Sequence, residues 1–123
     1  MDKIRDLWDT FAGNGFYKIE GKASFQVEVE IKGDQPFSNC VLSVQAYSDE
    51  DKRIAIAAKC RWYRKYNLAK NRINTSSNTY HVSALDVGSH IVVEIEPIEE
   101  DERGLATVTF GPIALDPNTR KTL

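Results

Sequence analysis

The chain has 123 residues, of which 41% are hydrophobic and 28% charged, the size and balance of one domain around one core. A formal net charge of −2 supplies no general attraction to nucleic acid or to an anionic membrane, so only local charge could direct binding. Two cysteines are too few for a disulfide scaffold, and no apolar run approaches the length of a membrane-spanning helix, so a reducing, cytoplasmic setting is expected.

Residues 2–12, DKIRDLWDTFA, place Ile4, Leu7, Trp8 and Phe11 at i, i+3, i+4 and i+7, the stripe of one helix face. The Gly-Asn-Gly at 13–15 is a stop signal, since these residues accept the left-handed conformation of a helix C-cap. A short N-terminal amphipathic helix and linker over 1–15 is therefore expected, either packed on the domain or continuing an upstream helix. From Phe25 the period falls to two. Phe25, Val27, Val29 and Ile31 alternate with Gln26, Glu28 and Glu30, a half-buried strand. Gly-Asp-Gln-Pro at 33–36 is a turn cluster, and Leu42, Val44 and Ala46 mark a second strand.

A third strand is expected near 53–65, with Ile54, Ile56, Ala58, Cys60 and Trp62 on one face and Arg61, Tyr63 and Lys65 on the other. Residues 67–74 make a weak strand, and Tyr80 and Val82 a short one. Further strands run over 89–96, closing at Pro97, and over 104–110. About seven short strands separated by turns, with no helix between them, predict an all-β antiparallel sandwich over 16–115, with residues 116–123 as a C-terminal tail.

Trp62, within CRWYR at 60–64, and Asp86 and Gly88, within YHVSALDVGSHIVVEI at 80–95, carry a resemblance. Over residues 22–115 the chain resembles an immunoglobulin-like domain, with Trp62 in the core of strand C and Asp86-x-Gly88 at the corner between strands E and F. The corner needs Gly88 for a positive φ and Asp86 to hydrogen-bond its own turn, with Leu85 and Val87 plugging the end of the sandwich. His90 stands where many members have a tyrosine, and Cys40 and Cys60 fall on strands B and C, so the usual inter-sheet disulfide is absent. The pattern is similar to disulfide-free repeats of bacterial surface proteins and of large microtubule-associated proteins. That likeness implies an interaction module of a cytoskeletal or ciliary scaffold. The segment 91–115 also resembles the closing strands of a C2 sandwich, which implies Ca²⁺ or anionic phospholipid as the alternative ligand.

Charge is bipolar along the chain. Residues 59–72 hold Lys59, Arg61, Arg64, Lys65, Lys70 and Arg72 without an acid, interleaved with Trp62, Tyr63 and Tyr66, whereas 94–102 hold six acids and no base. In an immunoglobulin-like layout Arg61 and Tyr63 would share an outward face with Val92, Glu94, Thr107 and Thr109. That face is either a solvated surface with Arg61 and Glu94 paired across strands, or a protein-docking face. The docking reading assigns Arg61, Tyr63, Arg64, Lys65, Lys70 and Arg72 to an acidic protein partner such as a tubulin tail or a scaffold segment. Neither nucleic acid nor a membrane is expected as partner. The aromatics would have to be exposed to stack on bases, and Trp62 is expected in the core.

Catalytic and cofactor chemistry finds no motif. There is no glycine-rich phosphate loop, no Gly-x-Ser-x-Gly elbow, and no paired Cys or His spacing for zinc around His81, His90, Cys40 and Cys60. The acidic loops at 48–51 and 99–102 would meet at one end of a sandwich, which permits Ca²⁺ binding without specifying it. A non-enzyme without cofactor or metal is expected.

Overall fold

A computed structural model describes residues 5–6, 10–11, 16–33, 37–48, 54–98 and 104–115. Its strands are β1 (Arg5–Asp6), β2 (Thr10–Phe11), β3 (Tyr17–Ala23), β4 (Phe25–Lys32), β5 (Val41–Ser48), β6 (Ala55–Ile56), β7 (Ala58–Tyr66), β8 (Ala69–Arg72), β9 (Thr79–His81), β10 (His90–Pro97) and β11 (Gly104–Phe110). One sheet has the order β1-β3-β11-β10-β7-β8, with β2 also on β3. The other has the order β4-β5-β6, with β9 also on β5. Every pairing between these strands is antiparallel. The chain is thus an all-β antiparallel two-sheet fold, compatible with the immunoglobulin-like layout. Among the described residues the one helical element is a 3-10 turn at Ala84–Asp86.

Period-two alternation places the core. Phe25, Leu42, Val44 and Ala46 from the smaller sheet meet Ile19, Trp62, Ile91, Val93, Ile95, Ala106, Val108 and Phe110 from the larger one. Trp62 is fully buried, with ring centroids 5.6 Å from Tyr80 and 6.4 Å from Phe110. Its indole N–H donates to the Ser77 carbonyl at 2.6 Å, which satisfies the one polar atom this side chain takes out of water. Cys40 and Cys60 are buried free thiols, and burial raises the Cys60 pKa above its ordinary value.

The N-terminal helix is corrected. Arg5–Asp6 pairs with Ala23 and Lys22, and Thr10–Phe11 pairs with Ile19 and Lys18, so both stretches are strands on the outer edge of β3. Ile4, Leu7, Trp8 and the Gly-Asn-Gly lie outside the described residues. Three helical turns are marginal alone because nucleation is costly, whereas a sheet edge offers ready backbone partners.

Strands also exceed the seven expected. The run at 53–65 breaks at Ala57. Ala55 and Ile56 pair with β5, while β7 pairs with β10, so the chain changes sheets there. The weak strand at 67–74 is real as β8. β3 was not foreseen, although Tyr17 and Ile19 alternate with Lys18 and Glu20. Gly21 interrupts that pattern with φ +111°, where an added Cβ would stand 2.5 Å from the Leu105 carbonyl oxygen. Its missing side chain lets β3 and β11 approach.

Candidate docking surface

The β7–β10 register sets Arg61 opposite Glu94, Tyr63 opposite Val92 and Lys65 opposite His90. The β7–β8 hairpin sets Arg72 opposite Tyr63 and Lys70 opposite Lys65. This assembles the foreseen outward face, but its charges are largely satisfied from within. The Arg61 guanidinium donates to Glu94 Oε1 and to Glu96 Oε1, both at 3.1 Å. The Tyr63 hydroxyl donates to Glu94 at 3.0 Å, and Lys70 Nζ reaches the same carboxylate at 3.5 Å. Lys70 also stands 4.3 Å and Arg72 5.7 Å from the centre of the Tyr63 ring. Burial pushes the Glu94 carboxyl up, yet the bonds from Arg61 and Tyr63 and the Lys70 charge together hold it below the ordinary carboxylate value. Val92, beneath these side chains, is only 5% exposed. An acidic partner on this face would therefore compete with Glu94 and Glu96.

Arg64 belongs elsewhere. By strand alternation it shares the inner face of β7 with Cys60 and Trp62. There its Nε donates to Asp86 Oδ1 at 2.6 Å. Asp86 is fully buried and also accepts the Tyr80 hydroxyl at 2.7 Å and the Ser83 N–H at 2.9 Å. Ser83 Oγ in turn accepts the Leu85 N–H, closing a capping box around the 3-10 turn. The Arg64 pKa is raised, chiefly by the bond to Asp86. Burial, and then the bond to Asp86, pushes Tyr80 up to about 12, so its phenol stays a donor at neutral pH. Gly88 has the positive φ expected of it, +85°. Asp86 thus holds Arg64 and Tyr80 as well as its own turn.

Leu85 and Val87 are corrected: they do not plug the sandwich, being 79% and 37% exposed. The Asp86 carboxylate and Arg64 guanidinium occupy that inner position instead, and the 3-10 turn directs the two flanking aliphatics outward. Beside them is the β7–β8 hairpin tip. Asn67 takes φ +53°, which this residue type tolerates, and the tip leaves Leu68 100% and Tyr66 55% exposed. The Tyr66 ring lies 3.5 Å from where a Cβ on Gly88 would stand, so hairpin tip and corner are neighbours. The Lys65 side chain is exposed and makes no hydrogen bond or ion pair among the described residues. A shallow depression of about 510 Å³, lined by Lys65, Asn67, Gly88, His90, Thr109 and Glu20, adjoins this end. Exposed aliphatics at turn positions that ordinarily hold polar residues are the feature sequence reasoning missed. Leu68 inside Tyr-Asn-Leu-Ala could have signalled it.

Among the described residues no three His, Cys, Asp or Glu side chains gather as metal ligands, and no helix is long and apolar enough to cross a membrane. The acidic loops at 49–51 and 99–102 lie outside the described residues. A groove of about 350 Å³ near the β6–β7 crossing has Val44, Ala46, Cys60 and Ile95 on its walls, the side chains of the core itself. No protein-family model matches the chain, and no curated protein or solved structure is significantly similar to it.

Proposed function

We propose that this chain is a non-enzymatic protein-interaction module that docks the hairpin end of its larger sheet onto an acidic, partly apolar segment of a partner protein. The observation carrying this reading is Leu68, wholly exposed at the hairpin tip beside the unpaired Lys65. Tyr66, Leu85 and Val87 add apolar area at the same end, bordered by Lys70, which is shared with Glu94, and by Arg72 over the Tyr63 ring. Aromatic and aliphatic anchors inside a ring of charge are what a protein interface of this kind needs. The sandwich with Trp62, the Asp86-x-Gly88 corner and two free cysteines supports kinship with disulfide-free immunoglobulin-like repeats. That kinship makes a cytoplasmic scaffold of the cytoskeleton or cilium the setting, and an acidic tubulin-tail peptide the first probe.

The test compares the parent with a Lys65→Glu/Leu68→Ser double variant. Both side chains are exposed, so stability should stay within about 0.5 kcal/mol per site. Affinity for the acidic peptide should fall at least about ten-fold, with a weaker salt dependence of what remains. Equal binding by the two proteins contradicts the assignment. Arg61→Glu is a poor probe by comparison, because it sets a third carboxylate against Glu94 and Glu96 and so disturbs the face internally.

A further inference from the structure

We propose that the outer edge of β4 is a second binding site, taking an extended peptide of alternating basic and apolar residues as an added antiparallel strand. β4 is eight residues long and pairs with β5 along its whole length, while its other side pairs with no strand among the described residues. The hydrogen bonds of β5 show which β4 groups face outward. Val44 donates its N–H to the Asn78 carbonyl, and its own carbonyl accepts the Asn78 side-chain amide, both at 2.9 Å. Both backbone groups of Val44 therefore point away from β4. Val29, opposite Val44, is a non-hydrogen-bonded pair, so its N–H and C=O point to the open side. Alternation extends this to Val27 and Ile31. Six backbone groups on one straight edge are thus without protein partners among the described residues.

The side chains specify the occupant. Val27, Val29 and Ile31 lie on the core face yet are only partly buried, so the core is incompletely covered along this edge. Glu28 and Glu30 are exposed on the opposite face and border a shallow depression of about 130 Å³ with Ser43 and Tyr47. An added strand would set apolar residues opposite the three aliphatics and basic residues opposite the two carboxylates. A second copy of β4 paired about Val29 is disfavoured, because that register brings Glu28 opposite Glu30. The natural edge-protecting devices of proline, bulge or inward-pointing charge are absent from β4. Main-chain bonds would supply affinity and alternate side chains selectivity, the general mode of strand addition.

The probe is a fluorescent peptide with the core Val-Lys-Val-Lys-Val between threonines, followed by anisotropy. Saturable binding is expected, at least about ten-fold weaker for Glu28→Lys/Glu30→Lys and unchanged for Lys65→Glu/Leu68→Ser, which separates this site from the hairpin end. Melting curves check that the Glu28 and Glu30 variants remain folded. In the paired register the valine amides face β4 and the lysine amides face away. N-methylation of the valines should therefore abolish binding, while N-methylation of the lysines should spare it. No saturable binding to the folded parent, or equal binding by the valine-methylated peptide, overturns the proposal; the second result would mean charge attraction without strand pairing.

Discussion

Asp86→Ala is expected to lower the unfolding free energy by about 3 kcal/mol or more, because it breaks a buried ion pair from one side. The substitution strands three donors: the Arg64 guanidinium, the Tyr80 hydroxyl and the Ser83 N–H. Arg64 keeps a side-chain exposure of 32% and can turn partly to water, which places the cost toward the lower end of the range for such pairs. Asp86→Asn retains acceptor capacity for Tyr80 and Ser83 but loses the charge facing Arg64, so a smaller loss is expected, about 1–3 kcal/mol. Urea unfolding of the two variants checks both values. An Asp86→Ala protein as stable as the parent would show that the corner is not held by this carboxylate.

Trp62→Ala should be of similar or greater consequence. Truncating a buried aromatic costs about 3–5 kcal/mol through lost transfer energy and the cavity left behind, against a total domain stability of about 5–15 kcal/mol. Trp62 also bridges the sheets. Its ring packs near Phe110 of β11 and Tyr80 of β9, and its N–H anchors Ser77 in the segment leading to β9. Trp62→Phe keeps much of the volume and leaves the Ser77 carbonyl to find water, so a milder loss is expected. Thermal melts distinguish the cases. A Trp62→Ala protein melting within a few degrees of the parent would contradict the placement of this ring at the centre of the core.

Period-two alternation made β4, β5, β7, β10 and β11 legible, because each buries one face and a one-residue slip would expose it. Trp62 fell on the buried side of that alternation, whereas the Asp86-x-Gly88 corner was placed by the resemblance to immunoglobulin-like domains. β3 was obscured by Gly21, whose role is contact with β11 rather than turn formation. The helical stripe at 2–12 misled because helix propensity in a short segment is easily overridden by a sheet edge. The candidate site was legible in composition and not in partnership. Arg61, Arg64, Lys65, Lys70 and Arg72 read as one basic segment, yet strand parity sends Arg64 inward to Asp86, and the β10 register brings Glu94 and Glu96 onto Arg61. Residues more than twenty positions apart decide which of these charges are free, and no local rule reveals that.

The two surfaces are on different sheets and carry opposite charge: a basic, apolar hairpin end on the larger sheet and an acidic open edge on the smaller. The docking surface itself is tested most directly by amide NMR of the labelled chain titrated with an acidic tubulin-tail peptide. Shifts should concentrate at 65–70 and 84–88 and leave Arg61, Glu94 and Glu96 nearly unmoved. Shifts centred on Arg61 and Glu94, with Leu68 and Leu85 silent, would contradict the hairpin end as the contact and return it to the sheet face.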